Sequence, residues 1–304
     1  MTVAVSVSVV IPTYNRRAMV REAIDSVLAN TGVEFELIVV DDGSTDDTPE
    51  LARCFQADAR FIYERTANRG VAAARNRGVE LARAPLVAFL DSDDLWSPQK
   101  LAKQIGFMRE HPELGISQTN EIWIRGGKRV NPGERHRKRA GDIFVDSLRT
   151  CLISPSAVMM HADLFRVTGG FDESMTAAED YDLWLRILVD HEVGLLDEPL
   201  VTRRGGHPDQ LSATTPAIDR FRILALTKLL ANERLKGARR DATVSVLAEK
   251  SRIYAGGLDK RGKVADAQFY RWVATRTADW RAGVSEEINC TVNSIRVRQS
   301  GNRA

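Results

Sequence analysis

The chain has 304 residues, 43% of them hydrophobic and 28% charged, and a formal net charge of only +2. These values belong to an ordinary soluble globular protein, one large domain or one domain with an extension, and give no bulk-charge argument for nucleic-acid binding. Cys54, Cys151 and Cys290 are scattered without metal-ligand spacing or a disulfide framework, which fits a reducing cytosol, and no apolar run reaches the ~18–20 residues needed to span a bilayer.

Val5 to Ile11 reads as a first strand rather than a secretory signal, because Met1 to Val10 has no charged start and no cleavage-like end. Val20, Ala23, Ile24, Val27 and Leu28 then recur at helical spacing, with Gly32 as a stop. Phe35 to Val40 is a second strand, and Thr48-Pro49 starts a helix. Phe61 to Tyr63 is a short third strand, and Val71 to Ala82 an alanine-rich helix. Leu86 to Leu90 is a fourth strand, and a helix from Ser97-Pro98 reaches about Arg109. Such alternation predicts a mostly parallel central sheet with flanking helices.

Beyond Gly115 the pattern loosens. Ile116 to Ile124 alternates, Gly126-Gly127 suits a hairpin turn, and Arg125 to Arg139 is a basic, exposed loop or a lip that meets a phosphate-bearing acceptor. Ser156 to Met160 and Val193 to Leu196 read as short strands, Tyr181 to Val189 as a helix, and Arg203 to Ser212 as a polar loop. From Ala217 to about Ala278 the chain is helical, broken at Gly256-Gly257 and Gly262, and Arg296 to Ala304 is a frayed basic end. The expected division is 1–215 for the α/β domain, split at 112/113 into two halves, and 216–304 for a helical extension.

Three strands end in polar clusters: Pro12-Thr13-Tyr14-Asn15, Asp41-Asp42-Gly43-Ser44 and Asp91-Ser92-Asp93. Ligands of open α/β sheets bind outside that edge. Paired carboxylates there are hard ligands that suit Mg²⁺ or Mn²⁺, and such an ion suits a diphosphate.

Those three clusters, with Asn68-Arg69-Gly70, Ala74-Arg75-Asn76 and Asp94, resemble a family 2 glycosyltransferase of the GT-A fold. Gly169-Gly170-Phe171-Asp172-Glu173 and Glu179-Asp180-Tyr181-Asp182-Leu183 resemble its acceptor-side motifs, so the likeness covers residues 5–212. It implies a nucleotide-diphospho-sugar donor, a divalent cation (Mn²⁺ or Mg²⁺) and inversion at the anomeric carbon. Pro12, Thr13 and Tyr14 would hold the nucleoside, and Asp42 would accept from the N–H of uracil or thymine. Arg69 or Arg75 would meet the diphosphate, although Arg75 is equally a structural partner for Asp91. Asp93 would ligate the metal, and Asp91 and Ser92 would complete the donor side. Asp180 matches the general base, with Glu179, Gly170 and Phe171 beside it on the acceptor side. His207 resembles a loop histidine that reaches the metal or diphosphate.

A nucleotidyltransferase would open with a Gly-rich basic loop where Pro12 to Asn15 stands, and a dinucleotide-dependent dehydrogenase would need G-x-G-x-x-G there. A catalytically inactive sugar-nucleotide-binding scaffold is opposed by the presence of every acidic position. The cysteine usage points to the cytoplasm, and fold-level analogy points to surface polysaccharide or glycolipid assembly with a saccharide or lipid-linked saccharide acceptor. Peripheral contact with the inner face of a membrane, through the apolar stretch Leu224 to Leu230 and its basic flanks, stands as the alternative to core packing.

Overall fold

The computed structural model describes residues 5–206, 218–283 and 285–300. The first half is built from β1 (Val7–Thr13), α1 (Arg17–Leu28), β2 (Phe35–Asp41), α2 (Thr48–Arg53), β3 (Phe61–Arg65), α3 (Val71–Leu81) and β4 (Leu86–Phe89). Every residue of β1, β2 and β4 is buried. A parallel strand covered on both faces has no solvent side, which is why these segments are almost continuously apolar. Alternate residues serve opposite faces: Val7, Val9 and Ile11 pack with α1, and Val10 packs on the α3 side. On that side α3 lies directly against β1, and a Cβ at Gly78 would stand 2.3 Å from Val10 Cγ1.

The sheet runs β3-β2-β1-β4-β8-β6-β9-β5, with β7 on β6. Its remaining strands are β5 (Leu95–Trp96), β6 (Ile116–Arg125), β7 (Lys128–Val130), β8 (Val158–His161) and β9 (Gly194–Gly205). The pairs among β1 to β4 are parallel, whereas β8 runs antiparallel to both β4 and β6. Chain order reverses at β1, between β2 and β4, and the crevice at such a switch point is the expected ligand site. The later helices are α4 (Lys100–Glu110), α5 (Phe144–Ser147), α6 (Ala162–Val167), α7 (Glu179–Leu188), α8 (Asp219–Leu229), α9 (Gly237–Asp259), α10 (Val264–Thr275), α11 (Thr277–Ala282) and α12 (Ser285–Ser300).

Several local expectations are corrected. The short strand expected at Val193 to Leu196 is the start of the 12-residue β9, so Arg203 lies in a strand and not in a loop. Irregular register against β6 at Thr119 to Glu121 disturbs the sequence alternation that would have shown this. Gly256-Gly257 does not break α9, because flanking Tyr254, Ala255 and Leu258 are buried against other helices and packing outweighs the weak propensity of glycine. Arg296 belongs to α12 and pairs with Asp172 at 3.2 Å, so the basic end is helical as far as Ser300. Phe221, Leu224 and Leu229 of α8 are buried in one apolar cluster with Val10, Phe89, Trp184, Trp280 and Ile295, which is the core-packing alternative.

Candidate active site

The edge of the sheet gathers the expected residues. At the end of β1, Pro12 and Thr13 are buried, and Thr13 Oγ1 has no hydrogen-bond partner among the described residues. Tyr14, the next residue, is 45% exposed. Asn15 adopts φ 51° and ties this loop to the next one: its Oδ1 accepts from the Thr45 amide at 2.7 Å, and its own amide donates to Ser44 Oγ at 2.9 Å. At the end of β2, Asp42 accepts the amides of Arg69 and Gly70, each at 2.8 Å, which fixes the loop that enters α3. The Arg69 side chain is largely exposed and pairs with Glu173 at 2.6 Å.

The carboxylates behind β4 form a compact cluster. One oxygen each from Asp91, Asp93 and Asp94 lie within 4.8 Å of one another, a hard-donor set that fits Mg²⁺ or Mn²⁺. Ser92 between them is buried. Asp94 accepts from Ser156 Oγ at 2.6 Å and from the Arg204 amide at 2.9 Å, and burial, with the Asp93 and Asp91 charges, pushes its carboxyl well above the usual range. Asp91 and Asp93 are thus better suited to ligation. Each also faces a cation: Arg16 lies 3.1 Å from Asp93, and Arg75 lies 2.6 Å from Asp91.

Arg75 connects the two halves of the site. Its guanidinium, only 4% exposed, donates to Asp91 through Nη2 and to Glu179 through Nη1, both at 2.6 Å. Asp91, Glu179 and Asp180 hold its charge firmly against burial. Glu179 is buried, which raises its carboxyl above the ordinary value against the pull of Arg75, and the Asp180 charge adds to the rise. Both acids begin α7, where Ala178 takes a left-handed φ of 58° and turns the chain into the helix. Asp180 Oδ1 accepts its neighbour's amide, from Tyr181 at 2.7 Å, while Oδ2 faces the Cys151 thiol at 3.7 Å.

Asp180 opens onto a cavity of about 40 Å³ lined also by Trp123, His136, Lys138, Ser154 and Arg203. Gly170 and Phe171 support the site from behind. Gly170 has φ 63° and its carbonyl accepts from Arg186 at 2.6 Å, whereas Phe171 is buried beneath the Arg75 guanidinium, 5.2 Å from its ring centre. His207 lies outside the described residues.

Comparison with known proteins decides the family. The glycosyl transferase family 2 profile matches residues 8–168, more than half of the chain. The chain belongs to glycosyl transferase family 2. An uncharacterized glycosyltransferase of Rickettsia felis is 38% identical over 194 residues, 64% of this chain and 32% of that protein. This family 2 chain therefore spans about a third of the length of the first curated relatives it matches. Another relative is the Escherichia coli UDP-Glc:alpha-D-GlcNAc-diphosphoundecaprenol beta-1,3-glucosyltransferase WfgD, 30% identical over 191 residues, 63% of this chain and 73% of that one. Among solved structures, S. aureus TarS 1-349 in complex with UDP-GlcNAc superposes with a TM-score of 0.71 at 20% identity, covering 96% of this chain and 87% of that one. Mannosyltransferase PcManGT from Pyrobaculum calidifontis, in complex with GDP-Man and Mn²⁺, gives 0.57 at 18% identity, covering 100% and 89%. The fold of this family 2 member is thereby GT-A.

The sequence reading of this family 2 chain overlooked Arg16, Ser156, Trp123, Lys138, Cys151, Arg203 and Arg204, and included Asp94 in a motif without giving it a role. Asp94 had a signal, since it continues the acidic triplet. Arg16 directly follows the β1 cluster, Lys138 and Cys151 lie in loops without a motif, and Trp123, Ser156, Arg203 and Arg204 lie on or beside β6, β8 and β9, whose order no local motif encodes.

Proposed function

We propose that this family 2 chain is an inverting, metal-dependent glycosyltransferase. It would move a sugar from a nucleotide-diphospho-sugar to an acceptor hydroxyl in surface polysaccharide or glycolipid assembly on the cytoplasmic side. The observation that carries the reading is Arg75, which joins the carboxylate cluster behind β4 to the acidic start of α7 in one cleft. Inversion needs a base on the face opposite the leaving group, and two separate acidic sets, one at the end of β4 and one at the start of α7, supply candidates for the two roles.

Thr13 and Tyr14 would hold the nucleoside, with the unpartnered Thr13 hydroxyl and the exposed ring as contacts. Asp42 is held rigid by two amides, yet each carboxylate oxygen keeps a second lone pair for the N–H of uracil or thymine. Asp91, Ser92 and Asp93 would meet the diphosphate side, with Asp93 the direct ligand of a divalent cation and Arg69 at the rim. A cation bound there neutralises charge developing on the departing diphosphate. Asp180 would take the acceptor hydroxyl's proton while that oxygen bonds to the anomeric carbon and the carbon–oxygen bond to the diphosphate breaks. Residues 1–112 would serve the donor, 113–215 the acceptor, and 216–304 would buttress both.

Relatives with printed roles in glycan assembly support this reading: WfgD, and a putative teichuronic acid biosynthesis glycosyltransferase of Bacillus subtilis 42% identical over 106 residues. The test is a panel of nucleotide sugars with and without Mn²⁺, scored by release of nucleoside diphosphate. Metal-dependent release from UDP- or dTDP-linked donors is expected. UDP should also bind about tenfold to a hundredfold more tightly than ADP or GDP, the value of one buried base contact. Tight nucleotide binding with no release from any donor would instead identify a binding scaffold.

A further inference from the structure

The cavity beside Asp180 holds a cation that the catalytic reading does not use. Among the described residues the Arg203 guanidinium makes no hydrogen bond and no ion pair, and it lies 4.9 Å from the centre of the Trp123 ring. Burial opposes its charge, but Glu121, Asp94, Asp91 and Asp180 hold it charged. A half-buried guanidinium with five N–H donors therefore lines the same cavity as Asp180. The other cation at this wall, Lys138, is spoken for. It lies 3.1 Å from Glu121, whose carboxyl is held at about 2 despite burial by Lys138 and Arg203.

Trp123 gives the cavity an aromatic wall. Its indole N–H donates to Glu121 Oε2 at 2.9 Å, which fixes the ring, and the side chain is only half-buried. The apolar C–H face of a sugar ring packs on such a surface. Arg125 stands 5.8 Å from the same ring and starts the β6–β7 hairpin.

That hairpin and the loop after it, residues 125–139, carry seven Lys or Arg against a single carboxylate, Glu134. Arg137 pairs with Glu134, Lys138 with Glu121 and Arg139 with Asp146. The remaining four, Arg125, Lys128, Arg129 and Arg135, are exposed and have no carboxylate partner among the described residues. A solvated face usually intersperses both signs, and this one continues an unpaired cation inside the cavity.

We infer that the Trp123–Arg203 cavity is the acceptor subsite and that the β6–β7 hairpin reads a phosphate on that acceptor. The acceptor is a saccharide with a phosphate or diphosphate on the end remote from the attacking hydroxyl. The hydroxyl faces Asp180, the ring lies on Trp123, Arg203 binds oxygens of the sugar or its phosphate, and the rest of the anion rests on the lip. This rests on the reading of Asp180 as the base. Two sources present such a group, a soluble sugar phosphate and a lipid-borne one.

The full chain, saturated with UDP and Mg²⁺ so that the donor site is filled, is titrated with inorganic phosphate while tryptophan emission is followed. In parallel it is floated with phosphatidylcholine vesicles with and without polyprenyl phosphate. Phosphate should change the emission of the wild type but not of Trp123→Phe, and added salt should weaken binding. In Arg203→Gln, and separately in R125Q/K128Q/R129Q, the dissociation constant should rise on the order of tenfold or more, the loss expected with charge-assisted hydrogen bonds. The lip residues are on the surface, so the triple variant tests the inference even if Arg203→Gln perturbs folding. Enrichment on polyprenyl phosphate vesicles supports the inference with a lipid-borne acceptor, and binding of soluble phosphate without it supports a soluble one. Unchanged affinity in the triple variant, or binding of neither probe, overturns the inference. Failure of the wild type to bind UDP would overturn the glycosyltransferase reading instead.

Discussion

At the residue scale, the proposed base Asp180 and the connecting Arg75 offer tests that separate chemistry from positioning. Asp180→Asn keeps the shape and most hydrogen bonding of the carboxylate but cannot take the acceptor's proton, so kcat should fall by ~10²–10⁴-fold, the usual worth of general-base catalysis. UDP affinity should change little, because Asp180 faces the cavity and not the cluster behind β4. Near-normal turnover would move the base role to Glu179 or Asp182. Arg75 acts through its partners, and its removal leaves Asp91 and the buried Glu179 unpaired. Breaking such a pair typically costs about 3–5 kcal/mol, so Arg75→Gln should lower the thermal midpoint by several degrees and reduce kcat more than it raises the donor KM. Arg75→Lys, able to satisfy only one of the two carboxylates, should recover part of the stability. A variant with unchanged kcat and lower stability would make Arg75 a purely structural link.

At the element scale, α4 carries an unusual group. Lys100 is fully buried, with Nζ 2.7 Å from Gln104 Oε1 and 3.9 Å from the centre of the Trp96 ring. Burial dominates and brings its pKa down from 10.5 to about 7. Between pH 7 and 10.5 the unfolded chain therefore holds a proton that the folded chain has released. Stability rises wherever the unfolded state binds more protons, by at most about 1.4 kcal/mol per pH unit. The contribution of Lys100 should thus increase stability from pH 7 towards 10.5 and level off below 7, where both states are protonated. Lys100→Met should be more stable than the wild type at pH 7, with a flatter profile in denaturant unfolding up to pH 9. Parallel profiles for the two proteins would show that the Trp96 ring and Gln104 keep this lysine charged.

At the scale of the whole molecule, the helices after residue 217 share one apolar core with the α/β sheet. Ile223, Leu224, Val244, Trp280 and Ile295 are buried in the cluster that also contains Val10, Phe89 and Trp184. Lys228 of α8 reinforces the seam with Asp172 at 2.5 Å and Asp182 at 2.7 Å, and Asp182 belongs to the first turn of the helix that carries Asp180. Each buried aliphatic side chain is worth about 1.5–3 kcal/mol, and the net stability of a domain is only about 5–15 kcal/mol, so losing this many cannot be absorbed. A chain ended at residue 217 should lose its cooperative thermal transition and its UDP binding. A fragment that keeps both would show that the helices are dispensable to the fold. Among the described residues no helix is long and apolar enough to cross a membrane.

The sequence by itself determined the sheet edge and its chemistry. Runs such as Val7 to Ile11 and Leu86 to Leu90 are apolar because a covered parallel strand has no polar side, and the polar clusters that interrupt them must lie at strand ends. Asp42 and Asp93 stand at such strand ends and Asp180 at a helix start, and each was picked out as a candidate because it belongs to a local motif. Only the tertiary structure decided what Arg75 and Arg203 do. Arg75 meets Glu179 across 104 residues, and Arg203 reaches the cavity because β9 runs on past Leu196 beside β6, in register with Trp123. A guanidinium on a helix face or a strand looks the same in sequence whether it is solvated, paired or waiting for a ligand. Its role depends on which carboxylates the sheet order brings within a few ångströms, and no local pattern encodes that order.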